Sequence, residues 1–137
     1  MIISYNKLYT PPIPVLPIRF YSPVTDIFAG PFDAIIDTAA DASLLPRSIL
    51  REIGAEETSP GWLRGVTGDR RPVALYFVDI YLENQSYPGI RVMADVKGQE
   101  IILGRDVLNK ISLFLDGRQQ QTIVLDEVTT RRLRRQQ

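Results

Sequence analysis

The chain has 137 residues, 45% hydrophobic and 23% charged, which is enough apolar material for one compact core and too little length for two ordinary domains. Sixteen Lys and Arg balance sixteen Asp and Glu, which excludes a strongly basic nucleic-acid binder and an acidic disordered chain. Because the chain has neither cysteine nor histidine, disulfides, thiol nucleophiles, the usual zinc sets and any mechanism needing an imidazole base are excluded, so carboxylates carry any acid–base chemistry.

No stretch reaches the roughly 20 apolar residues that span a bilayer, and Met1-Ile2-Ile3 does not open a basic segment followed by a long apolar run. A cytoplasmic protein without membrane contact is expected. Ten prolines and nine glycines between short Val, Ile, Leu, Tyr and Phe runs predict a strand-rich domain with many turns. Pro11, Pro12, Pro14 and Pro17 each remove a ladder donor, so residues 1–17 read as a proline-rich arm or edge strand. Strands are predicted over 18–21 and 32–36. Pro46 to Ile53 reads as a short helix, with Ile49, Leu50 and Ile53 on one face and Gly54 at the stop.

In residues 73–82, Val78, Ile80 and Leu82 alternate with Asp79 and Tyr81 as a half-buried strand requires. Ahead of it, Gly65 and Gly68 between apolar flanks predict a hairpin with a mobile tip. Residues 88–96 read as a strand, Ile101 to Leu103 as a buried run ending at Gly104, and 105–110 as a second short helix. The last strands are predicted over 111–115 and 122–125. A single domain over residues 1–128 is followed by a basic tail, 129–137, in which Arg131, Arg132, Arg134 and Arg135 stand without an acid. That tail is expected as a frayed end or a contact for an anionic partner.

The segment that carries chemistry is Ala34-Ile35-Ile36-Asp37-Thr38-Ala39-Ala40-Asp41-Ala42-Ser43-Leu44-Leu45-Pro46. An apolar strand runs directly into an acid and then into small residues, which places a carboxylate on a tight loop with space for a substrate. Leu44 and Leu45 are expected in the core.

This segment resembles the active-site motif of the aspartic proteases, two hydrophobic residues followed by Asp-Thr-Gly-Ala, in the single-domain form of the retropepsins and their bacterial retroviral-like relatives. Ile101-Ile102-Leu103-Gly104-Arg105-Asp106-Val107-Leu108 resembles the Gly-Arg-Asp/Asn element that this family places before its C-terminal helix. Gly65-Val66-Thr67-Gly68 falls between the two, where the family carries its flap. The resemblance extends from about Ile18 to Leu125.

The resemblance implies an all-β, retropepsin-like closed barrel with one or two short helices and a hairpin flap, acting as a homodimer on extended peptides without metal or cofactor. It makes Asp37 the catalytic aspartate and gives Thr38 a hydrogen bond across the active-site floor to its counterpart. Ala39, Ala40, Asp41, Gly65, Val66, Thr67 and Gly68 would contact substrate. Gly104 and Arg105 would support the site, with Arg105 pairing to Asp41, and Asp106 would be structural. The catalytic pair shares one proton between two carboxylates, and this chain has a single Asp-Thr motif, so the pair needs two chains. Ala39 stands where the family has glycine. This opens an alternative, a dimeric peptide-binding or scaffold protein with little or no catalysis.

Overall fold

The computed structural model describes residues 1–64 and 67–136. Alternation along the second strand decides which face becomes the core. In β2 (Val15–Ser22), after the short β1 (Ile2–Ser4), Leu16, Ile18, Phe20 and Ser22 are buried while Pro17, Arg19 and Tyr21 are less so. β2 pairs antiparallel with β3 (Ile27–Ile36), from Val15 opposite Ile35 to Ser22 opposite Ile27. Pro17, expected in the arm, lies within β2. The second neighbour of β2 pairs only with Arg19, Phe20 and Tyr21, so the missing donor of Pro17 interrupts no ladder on that side.

After β3 come β4 (Leu44–Pro46), α1 (Arg47–Glu52), β5 (Glu56–Glu57), β6 (Gly61–Arg64), β7 (Arg70–Val73), β8 (Leu75–Leu82) and β9 (Gln85–Asp95). The chain continues through β10 (Ile102–Leu103), α2 (Arg105–Leu108), β11 (Leu113–Asp116), β12 (Gln121–Val124) and α3 (Glu127–Arg135). Six strands close into a barrel in the order β2, β3, β10, β4, β9, β8, with β8 returning to β2. Two of these pairings, β3 with β10 and β4 with β9, are parallel. β5 extends the edge at β8, and β6 and β7 form a separate hairpin. The predicted alternation in β8 is present, with Val78, Ile80 and Leu82 buried.

The core is formed by Leu16, Ile18 and Phe20 from β2, Leu45 from β4, Val78 and Ile80 from β8, and Leu103 from β10, with Leu50 and Ile53 packed from the α1 segment. The helix expected from Pro46 onward therefore forms. It stops at Gly54, which has φ +63° and whose N–H bonds the Arg51 carbonyl while the Ala55 N–H bonds that of Leu50.

A second, three-stranded sheet joins the two ends of the chain, with β12 between β1 and β11. The N-terminal arm is also tied to the barrel: the Asn6 side-chain amide donates to Asp33 of β3 at 3.2 Å, and the Tyr9 hydroxyl donates to Glu100 at 2.6 Å. No described helix is long and apolar enough to cross a membrane.

The described residues form three helices, one more than expected. The residues read as a basic tail continue from Glu127 into α3, capped by Asp126, whose carboxylate accepts the Thr129 N–H at 2.7 Å. Glu127 pairs with Arg131 at 3.1 Å and Arg134 at 3.7 Å, and the arginines of the last turn suit the negative end of the helix. Those Thr129 hydrogen bonds hold the Asp126 carboxyl below the usual carboxylate range. A lowered folded-state value stabilises above the ordinary aspartate range and is lost as pH falls through the lowered value. Helix α3 is therefore expected to fray in acid before the barrel opens, and to fray already at neutral pH in Asp126→Ala. Limited proteolysis after Arg131 or Arg132 across a pH series checks both.

Candidate active site

Asp37 follows directly on β3, and its position is fixed from both sides of the backbone. Its N–H donates to the Leu103 carbonyl at 3.1 Å, continuing the ladder in which Ile102 lies beside Ile35 and Leu103 beside Ile36. The Ile36 N–H meanwhile bonds the Pro14 carbonyl at 3.1 Å. The chain then turns tightly. The Ala40 N–H bonds the Asp37 carbonyl at 3.2 Å, and one oxygen of the Asp37 carboxylate accepts the Ala39 N–H at 3.0 Å. Asp37 is half-buried, and its neighbours Thr38 and Ala39 are exposed.

The second motif holds this loop from below. Gly104 is buried against it, and a Cβ at that position would stand 2.7 Å from the Ala42 carbonyl carbon and 3.0 Å from the Ala40 oxygen. Glycine is therefore required there for close approach of two backbones. The Gly104 N–H donates to Ser43 Oγ at 3.0 Å, and Asp106 accepts both the Ser43 hydroxyl at 2.7 Å and the Ser43 N–H at 2.9 Å. All of these groups are wholly or partly buried, where satisfied hydrogen bonds rigidify most. Asp106 is thus a staple of the loop.

Arg105 completes the support. Its N–H bonds the Ala40 carbonyl at 2.9 Å, and its guanidinium donates to the Thr38 carbonyl at 2.9 Å and to Asp41 at 2.5 Å. The Asp41 side chain is 89% exposed, so the ion pair itself is screened by water and adds under about 1 kcal/mol. Arg105→Ala also loses the bond to Thr38. It is expected to lower the unfolding midpoint measurably, whereas Asp41→Ala shifts it little; chemical denaturation of the two variants compares them.

A cavity of about 570 Å³ opens beside Asp37. Its floor comes from Asp37, Ala40, Ala42, Leu44 and Ile102, and its roof from Leu63, Arg71, Pro72 and Val73 of the β6–β7 hairpin. The side wall is Met93 to Lys97, the end of β9 and the following turn. In that turn Asp95 accepts the Lys97 N–H at 3.0 Å. Hydrogen bonds from the Lys97 and Gly98 backbone, with Arg71 nearby, hold its carboxyl below the usual range.

Several expected positions meet in this arrangement, and others do not. Asp37 and Ala40 line the cavity, and Gly104 and Arg105 lie under it. Asp41 points away to Arg105 and solvent, Ala39 is exposed, and neither lines the cavity within this chain. Thr67 and Gly68 belong to the hairpin tip, where Gly68 has φ +85° and the Thr67 hydroxyl donates to Asp69 at 3.0 Å. Gly65 and Val66 lie outside the described residues. Leu45 is in the core as expected. Leu44 is not, because the strand alternation that buries Leu45 turns its neighbour into the cavity.

Trp62 is 64% exposed on the outer face of the hairpin, with the Arg70 guanidinium 5.5 Å from its ring centre. Leu63, one residue on, faces the cavity. The sequence reading missed Leu63, Arg47, Arg71, Met93 and Lys97 as cavity residues. Alternation on either side of the hairpin tip could have pointed to Leu63 and Arg71. Nothing local marks Arg47 or Lys97.

No protein-family model and no curated protein matches the sequence. Among solved structures, the chain is similar to a retropepsin-like aspartic protease from Rickettsia conorii, with 13% identity over 90% of this chain and 88% of the other and a TM-score of 0.62. It is also similar to EIAV protease complexed with the inhibitor HBY-793, with 21% identity over 79% of this chain and 93% of the other and a TM-score of 0.55. The fold is retropepsin-like.

Proposed function

We propose that this chain is an aspartic endopeptidase whose catalytic pair is Asp37 of two copies. The observation that carries the reading is the placement of Asp37 at a strand end, held by Leu103 and Ala39, on the floor of a cavity roofed by a hairpin. The retropepsin-like fold supports it. Two such carboxylates brought together at a two-fold axis repel and share a proton. The ionised one takes a proton from water as that water attacks the scissile carbonyl, and the protonated one donates to the carbonyl oxygen. Collapse of the tetrahedral intermediate returns a proton to the leaving amine.

In this reading Thr38 of each copy hydrogen-bonds across the floor, using a hydroxyl that both donates and accepts. The β6–β7 hairpin acts as the flap, and Thr67 and Gly68 lie over an extended peptide. Exposed Ala39 and Asp41 meet that peptide or the second copy. No metal or cofactor takes part in this chemistry, and neither nucleic acid nor membrane is a partner.

Ala39 does not count against the backbone geometry. Among the described residues, left-handed non-glycine conformations occur at Asp26, Glu83 and Gln120, so alanine fits position 39 without backbone strain. Its exposed methyl group beside the carboxylate is what favours the second reading, a dimeric peptide-binding scaffold in which that methyl crowds the scissile bond. Digestion of an unfolded protein between about pH 3 and 7, at chain concentrations on both sides of dimerisation, tests the two. Acid-favoured, concentration-dependent cleavage supports the peptidase. A folded dimer that binds peptide without cleaving it, and cleaves once Ala39→Gly is made, supports the scaffold.

A further inference from the structure

The cavity beside Asp37 has apolar walls but a basic rim. Arg47, the first residue of α1, Arg71 on β7 and Lys97 in the turn after β9 reach it from three separate elements. All three are exposed, and among the described residues none makes an ion pair within 4.0 Å. The carboxylates lining the same cavity are Asp37 and Asp95. Asp95 is engaged by its own turn, through the Lys97 N–H and close to Arg71. Asp37 is the chemical group at the other end of the floor. The rim thus sets three basic side chains against one carboxylate, Asp95, and keeps an excess of positive charge above walls formed by Leu44, Leu63, Met93, Val96 and Ile102.

We infer that this cavity is a side-chain subsite selective for an acidic residue, glutamate above all, in an extended peptide. The inference rests on the peptide-binding reading of the site and adds a substrate class to it. The two methylenes of a glutamate pack on the apolar wall while its carboxylate reaches the rim, where arginine offers a planar fork of donors and lysine a point charge. Aspartate is too short to do both equally well. A lysine or arginine side chain in the same place meets like charge from three directions.

The test is cleavage-site profiling with a peptide library derived from a whole proteome, at about pH 6, where the glutamate side chain is ionised. Wild-type chain is expected to enrich glutamate over glutamine about fivefold at one position near the cleaved bond, and to exclude lysine there. Arg47→Ala combined with Lys97→Ala is expected to erase the preference, and Arg47→Glu with Lys97→Glu to reverse it toward lysine. The reversal variant keeps its fold, since an acidic residue at the first turn of a helix is favourable there and Lys97 is exposed; its unfolding midpoint checks this.

Cleavage without any acidic preference overturns the subsite while leaving the peptidase standing. Absence of cleavage by the wild type overturns the peptidase, and the subsite is then read by capture on immobilised Asp37→Asn chain. Selective retention of glutamate peptides over their glutamine counterparts supports it. Equal retention, or none, overturns it.

Discussion

Asp37→Asn is expected to remove cleavage by about 10⁴-fold while leaving the fold intact. Asparagine keeps the shape of the side chain, and its carbonyl oxygen can still accept the Ala39 N–H that the carboxylate accepts at 3.0 Å. Stability should therefore move by less than about 0.5 kcal/mol, as for a substitution that breaks no buried contact. What disappears is the titrating group. A carboxamide neither takes a proton from water nor passes one to a carbonyl oxygen.

The two-copy mechanism adds a quantitative consequence. When wild-type and Asp37→Asn chains are mixed in equal amounts and allowed to exchange, half of the wild-type chains find a defective mate, so activity per wild-type chain falls to about half. A further excess of the variant suppresses it more. Activity per wild-type chain that stays constant across the mixing series would show that one chain carries the whole catalytic apparatus, and would defeat the shared pair.

Gly104→Ala is expected to have the largest effect on the site that does not touch the chemistry. The added Cβ would lie 2.7 Å from the Ala42 carbonyl carbon, 2.8 Å from its oxygen and 3.0 Å from the Ala40 oxygen. These are backbone atoms held in place. Ala40 is fixed by Arg105 and by the turn at Asp37, and Ser43, next to Ala42, by Asp106. With no flexible side chain to give way, the loop must move as a unit. A loss of about 3 kcal/mol is expected, a fall of about 10 °C in the melting temperature.

The same displacement reaches Asp37, because the loop runs from that residue to Ser43. Misplacing a catalytic group by about 1 Å costs on the order of 10²-fold in rate. Folded Gly104→Ala should therefore cleave about a hundredfold more slowly, measured well below its melting temperature. Wild-type turnover by the folded variant would mean that the Gly104 contact supports stability alone.

Much of this fold was legible because local rules and burial agree in it. Val78, Ile80 and Leu82 alternate in the sequence and are buried in the barrel. Pro46 and Gly54 bracket α1 as their fixed and left-handed backbone angles suggest. The C-terminal helix was not anticipated, although its signals are local. Asp126 stands at the N-cap and Glu127 four residues before Arg131, but the run of arginines read as a solvated tail. Its charge described the exposed face and hid the cap that starts the helix.

By itself the sequence determined which groups are available for chemistry. Without cysteine or histidine, any acid–base work falls to carboxylates, and Asp37 at the end of an apolar run, with Gly104 and Arg105 in a second motif, marked the site proposed for it. Short-range features of that kind depend on residue type and spacing, which a chain carries before it folds. Only the tertiary structure decided what surrounds Asp37. Barrel closure brings β10 beside β3, lets Asp106 staple Ser43, turns Leu44 toward the cavity and gathers Arg47, Arg71 and Lys97 at its rim. Those residues are far apart in the chain, and no local propensity encodes their meeting. It follows from the register of the strands, set by packing of the whole core.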